Sequence, residues 1–171
     1  MKLRCCSVRS LGLAAFLGWT LAAPAQAEEA VVPLAIADFD YTDTSGEAAD
    51  QRAAHAARLA ALTALLAEEL AASGKYRIVT LACAEPPCSA ARSDPAELIE
   101  AARAAGAQVL LYGGIHKMST LIQMGKAQAV DLKADKLVFD QTLSFRGDDD
   151  EAWRRAGMFL AEQLVSARPI P

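Results

Sequence analysis

The 171-residue sequence is 53% hydrophobic and 22% charged, with a formal charge of −4, a balance that suits one soluble globular domain and excludes a disordered or fibrous chain. Twenty-one acidic against 17 basic residues leave no cationic excess for phosphate backbones or anionic lipid, so no nucleic-acid partner is expected. Four cysteines and two histidines offer little material for a zinc site.

The first 27 residues read as an export leader. Lys2, Arg4 and Arg9 form a basic start, Leu11 to Ala23 an apolar run, and Ala25-Gln26-Ala27 a small-x-small cleavage signal. Cleavage is expected after Ala27. The apolar run is 13 residues long, short of the ~20 that a spanning helix needs. No second run of that length follows, so no stable membrane insertion is expected once the leader is removed. Cys5 and Cys6 precede the apolar run instead of following it, which leaves no lipobox. Residues 28–171 then form a mature chain of 144 residues whose charge, without three basic side chains, is −7. That is enough chain for one core that buries roughly 70% of its unfolded surface. The expected location is periplasmic or secreted.

Val31 to Phe39 is a nearly continuous apolar run and reads as a strand buried on both faces, with Pro33 near its start. Asp40 to Asp50 reads as a polar loop. From about Asp50, Leu59, Leu62, Leu66 and Leu70 recur at helical spacing until Ser73-Gly74. Lys75 to Leu81 is a second strand, and strand, helix and strand make a βαβ unit with parallel strands. Cys83 and Cys88 lie in Cys-Ala-Glu-Pro-Pro-Cys and are expected to form a disulfide in an oxidising compartment. The alternative, a redox-active pair, is opposed by the four intervening residues and by the lack of a helix opening at the loop.

Ser93-Asp94-Pro95 opens a helix that runs to about Ala105 and stops at Gly106. Gln108 to Ile115 is a third strand. Thr120 to Leu132 and Lys136 to Arg146 form a long hairpin about Lys133-Ala134-Asp135, with Leu137, Phe139, Leu143 and Phe145 on the core face of its second arm. The last helix begins within Asp148 to Glu151, where acids suit the positive helix terminus, and turns Trp153, Gly157, Leu160 and Leu164 inward. The order β-α-β-α-β-β-β-α predicts a single α/β (α+β) domain, a mixed sheet with a long C-terminal hairpin covered by helices.

This order resembles the N-terminal α/β domain of the Tol-system periplasmic propeller protein and the related domain of the curli secretion lipoprotein. An Asp-Phe strand end, a long helix, an approach to the second strand like Gly74-Lys75-Tyr76-Arg77-Ile78-Val79, and a late hairpin recur there in the same order. Gly113 to Ile122 and Phe145 to Trp153, with the strand at Ala35 to Asp40 and the leader, resemble the uncharacterised secreted bacterial family known as domain of unknown function 2380, which overlaps 3280. The likeness spans nearly the whole mature chain. It implies secretion and no assigned activity.

Three stretches carry candidate chemistry. His116, Lys117 and Ser119 follow Gly113-Gly114 and could form a proton-transfer or anion-binding corner; the plainer reading is a bulge or bend entering the hairpin. Gly113-Gly114 with Lys117 lacks the spacing of a phosphate loop. Arg146-Gly147-Asp148-Asp149-Asp150-Glu151 offers hard oxygen ligands without an EF-hand pattern, and a strand-ending turn plus helix cap accounts for it. Asp38, Asp40 and Asp43 cluster at the end of the first strand, a common ligand position in α/β sheets. Trp153 is expected to pack on the sheet.

No catalytic set, metal site or cofactor is expected. The leading expectation is a non-enzymatic accessory or protein-interaction module of an envelope system whose partner is another envelope protein, with contacts at His116, Lys117, Ser119, Arg146, Asp148, Asp150 and Trp153. The alternative is a small-ligand or metal-binding protein, or an enzyme, in which Asp38, Asp40, His116 and Lys117 converge.

Overall fold

A computed structural model describes residues 30–167, so the leader and cleavage site expected within residues 1–27 lie outside the described residues. Nine elements follow one another: β1 (Val32–Ile36), β2 (Asp40–Asp43), α1 (Arg52–Ala72), β3 (Tyr76–Val79), α2 (Pro95–Ala104), β4 (Val109–Lys117), β5 (Ile122–Asp131), β6 (Lys136–Arg146) and α3 (Asp150–Ser166). The result is a single mixed α/β domain. Its six-stranded sheet runs β3-β1-β4-β5-β6, with β2 continuing alongside β4 beyond the end of β1. β1 is parallel to β3 and β4, as a βαβ unit requires, and β4, β5 and β6 form an antiparallel meander.

The two sheet faces bury separate clusters. One holds Leu34, Val109, Leu111 and Ile115 under Leu62, Leu66 and Leu70 of α1 and Trp153, Leu160 and Leu164 of α3. The other holds Ala35, Ala37 and Leu110 under Leu98 and Ala102 of α2. The helix ends match their sequence signals. The Asp94 carboxylate accepts the Ala96 N–H ahead of Pro95, and the Asp149 carboxylate accepts that of Ala152. Gly74 and Gly106 take φ of 72° and 75° after their helices.

Three expectations are corrected. The strand read as Val31 to Phe39 is interrupted, and Asp40–Asp43, read as loop, is the strand β2. Ile36 pairs with Leu111 while Asp40 pairs with Gly114, so three residues oppose two and the chain gains one residue on β4. Polar β2 carries no apolar signal, because its partner is reached only in the folded chain. His116 and Lys117 do not bend away from the sheet but are the last two residues of β4, paired with Met124 and Gln123. Leu137 is exposed and Val138 packs inward, because a register shift at Ala129/Val130 turns the start of β6 over.

Candidate functional site

The candidate residues separate onto the two sheet faces. Lys117 is 0% exposed. Side chains alternate along β4, so Lys117 and Ile115 lie under α1 and α3 while His116 lies on the opposite face. The Lys117 ammonium donates to the carboxylates of Glu47 and Asp148 and, at 2.6 Å, to Oε1 of Gln51. Asp148 also accepts from His55 Nε2 at 2.9 Å and from Arg58 Nη1 at 3.0 Å, and Arg58 Nε reaches Asp150 at 2.9 Å. The His55 ring stacks on Tyr41 at 4.5 Å between centroids, and Trp153 lies 5.9 Å from Tyr41 and 6.1 Å from Phe145.

Burial acts against charge at both ends of this network and is outweighed. Desolvation opposes the Lys117 ammonium, but hydrogen bonds to Asp148 and Glu47 hold its pKa above the ordinary lysine value. Desolvation likewise opposes the Asp148 carboxylate, but Lys117 and His55 hold its pKa below the usual range. Burial and the nearby carboxylates of Asp43 and Asp148 raise the Tyr41 phenol far above its ordinary pKa. Both partners of the Lys117–Asp148 pair move away from neutrality, the opposite of what a general acid or base needs. The network acts as a clamp joining the loop before α1, the end of β4 and the start of α3. Within Asp148 to Glu151, where the cap of α3 is expected, Asp149 makes the cap and Asp148 is an ion-pair partner instead.

Glu47, Gln51, His55 and Arg58 are not among the residues the sequence marks as a site. For two of them the signal is spacing: Gln51 and His55 precede Leu59, Leu62, Leu66 and Leu70 on the same helical stripe. Three groups beside the network have no hydrogen-bond partner among the described residues: Tyr41 Oη, Trp153 Nε1 and the whole Gln123 amide. Gln123 sits opposite Lys117 in the β4–β5 register.

The other face gathers the remaining candidates at the β4–β5 turn. His116 pairs with Met124, which pairs with Ser144, and Ile122 pairs with Arg146. His116 Nε2 lies 2.7 Å from Thr44 Oγ1, and Ser119 Oγ accepts the Ile122 N–H. Met118, Leu121, Ile122 and Met124 are 36–47% exposed there. α2 covers the far end of this face, against Leu110, Tyr112 and Val130.

Asp38 and Asp40 serve a third place. Their carboxylates accept the N–H groups of Cys88 at 2.8 Å and Ala91 at 2.9 Å, pinning a loop closed by the Cys83–Cys88 disulfide. The alternative set of Asp38, Asp40, His116 and Lys117 does not converge, because Lys117 and His116 face opposite sides of β4 and the two aspartates hold the cysteine loop. Among the described residues no group of three or more His, Cys, Asp or Glu side chains could hold a metal ion. No helix among them is long and apolar enough to cross a membrane.

A family model, DUF3280, described as "Protein of unknown function (DUF2380)", matches residues 32–164. No curated protein matches significantly. Among solved structures, the chain is similar to the PelC dodecamer from Paraburkholderia phytofirmans (15% identity, 81% of this chain and 89% of that one, TM-score 0.49). It is similar to TolB from Acinetobacter baumannii at 16% identity over 82% of this chain but 29% of TolB, with a TM-score of 0.48. The LpoB C-terminal domain from Escherichia coli matches at 15% identity over 70% of this chain and 86% of that one, with a TM-score of 0.45.

Proposed function

The chain belongs to the family described as protein of unknown function DUF2380, and from its surface we propose that it is an exported, non-catalytic module that works by contacting another envelope protein through the end of the β4–β5 hairpin. The carrying observation is the group of four apolar side chains, Met118, Leu121, Ile122 and Met124, exposed together at that end. Clustered exposed apolar residues of this kind mark contact sites on proteins that are otherwise well packed. His116, Ser119 and Arg146 rim the group with polar chemistry, the usual anatomy of a protein interface.

Beneath the hairpin, the Lys117 network supplies rigidity instead of reactivity. It fixes the end of β4 to α1 and α3, so the turn projects from a braced strand. Export is supported by the leader-like residues 1–27 and by a disulfide of the kind that persists in oxidising compartments.

A photo-cross-linking side chain placed at Leu121 tests this reading in cells. The expected result is a discrete adduct to an envelope protein that is absent when the same probe replaces Leu137, an exposed apolar residue at the far end of the sheet. No adduct at Leu121 above that at Leu137 would refute it.

A further inference from the structure

β6 forms one edge of the sheet, and no strand among the described residues pairs with its outer side. It is 11 residues long, against four in β3 at the opposite edge. Natural proteins usually blunt such an edge. Here the register shift at Ala129/Val130 bends only the start of β6, leaving Asp140 to Arg146 regular and without a strand on its outer side. The Gln141 amide, which donates to the Thr142 carbonyl at 2.7 Å, has to swing away when a second strand docks. A groove of about 410 Å³ runs between this segment and α3, lined by Leu143, Phe145, Ala156 and Phe159. Phe159 is half-exposed along it.

We propose that two copies of this chain pair antiparallel along Asp140–Arg146 of β6, with Leu143 on the two-fold axis, to form one continuous sheet. The charge pattern selects this register. With Leu143 opposite Leu143 of the second copy, Asp140 faces Arg146 twice, Thr142 faces Ser144 twice, and Gln141 faces Phe145. Opposite charges directly across a ladder favour pairing and like charges oppose it. Centring the pair on Gln141 instead would set Lys136 against Arg146. Arg146 has no carboxylate partner among the described residues, whereas Asp140 is held only by Lys126 at 3.4 Å and the Gln128 amide at 3.2 Å. The two-fold places the same surface on both copies, as an isologous dimer requires. It also brings the two α3 helices side by side over the joined strands, so that each Phe159 is covered. The four apolar side chains at the hairpin end stay open, and of the residues that rim them only Arg146 is shared with this contact.

Sedimentation equilibrium of the exported protein tests this, with a monomer–dimer equilibrium expected at concentrations up to about 100 µM. Asp140→Arg sets two like-charge pairs across the axis and should weaken the dimer by about tenfold. Asp140→Arg combined with Arg146→Asp should restore it, which a merely structural role for either residue would not predict. Thr142→Cys protein mixed with Ser144→Cys protein should form an intermolecular disulfide readily, and neither alone should. A monomer throughout the range, a dimer indifferent to Asp140→Arg, or cross-linking without preference for the mixed pair would each overturn the proposal.

Discussion

Lys117 Nζ lies 2.5 Å from Asp148 Oδ2, and this contact ties the last residue of β4 to the residues that lead into α3. Glu47, Gln51, His55 and Arg58 complete the contacts around it. Removing the Lys117 ammonium takes from Glu47 its ion-pair partner and leaves Asp148 to Arg58 and His55 alone, which is costlier than never having buried the pair. Lys117→Met is expected to lower unfolding stability by about 3–5 kcal/mol. Urea denaturation measures this, and adding Glu47→Gln and Asp148→Asn should recover part of the loss. A Lys117→Met protein as stable as the parent would show that the network is dispensable.

The same pair sets a pH dependence. The Asp148 pKa is lowered in the folded chain, so its contribution is present above the unfolded aspartate value near 4 and is lost as pH falls through the folded value. The Lys117 pKa is raised, so its contribution is full below the unfolded lysine value near 10.4 and is lost as pH rises through the folded value. The contribution of this pair to the melting temperature should therefore be constant between those limits and be lost on both sides. Asp148→Asn should flatten the acid side, which a series of thermal melts from pH 3 to pH 11 would reveal.

Most elements are legible in the sequence because their signals are local. Asp94-Pro95, Gly74, Gly106 and the Leu59–Leu70 spacing act within a turn or two of chain, and each lies at the helix or helix end that its residue types specify. β2 and the Lys117 network are not legible, for one reason. Asp40–Asp43 becomes a strand only against Gly114–Lys117, and Glu47 meets Lys117 across 70 residues of sequence. A lysine at the end of a strand reads as solvated, and only the arrival of α1 and α3 over that face buries it. The sequence marks His116, Lys117 and Ser119 together as candidates, but their division by face is not legible, because the two glycines suggest a bend where β4 continues.

Gln123 shows the cost of that burial from the other side. It is fully buried, and neither atom of its amide has a partner among the described residues. A buried amide without hydrogen bonds carries a desolvation penalty of about 1–3 kcal/mol, which an apolar side chain of similar size avoids. Gln123→Leu should accordingly stabilise the protein by about 1 kcal/mol or more, seen as a higher urea midpoint. Destabilisation would instead indicate that the amide is satisfied within the folded protein.

Gly113 faces a steric limit. A Cβ there would press into the Lys126 carbonyl of the neighbouring strand and come within 2.7 Å of the Phe39 ring. The carbonyl belongs to the β4–β5 ladder and cannot rotate away as a flexible side chain could. Gly113→Ala is expected to cost about 3 kcal/mol, at the upper end of what overpacking costs in a close-packed interior. Gly46 provides the contrast, since no atom lies within 4 Å of a Cβ built there and only its φ of 74° resists a side chain. Gly46→Ala should cost about 1 kcal/mol. Urea midpoints of the two variants check the difference, and equal losses would show that the close approach at Gly113 relaxes freely.

Besides the backbone bond from the Asp38 N–H to the Cys88 carbonyl and the Asp40 carboxylate on Ala91, the cysteine loop is held at Cys88 by two side-chain anchors, the Cys83–Cys88 bond and the Asp38 carboxylate on the Cys88 N–H. Closing so short a loop restricts the unfolded chain little, so reduction should cost only about 2 kcal/mol by chain-entropy reasoning. Asp38→Asn exchanges a charge-assisted hydrogen bond for a neutral one, and such bonds are about twice as strong. Its effect should grow once the disulfide is open, because the carboxylate is then the remaining side-chain anchor at Cys88, beside the backbone bond from the Asp38 N–H to the Cys88 carbonyl. Melting the parent and Asp38→Asn proteins with and without reductant separates the two anchors. Equal losses under both conditions would mean that they act independently.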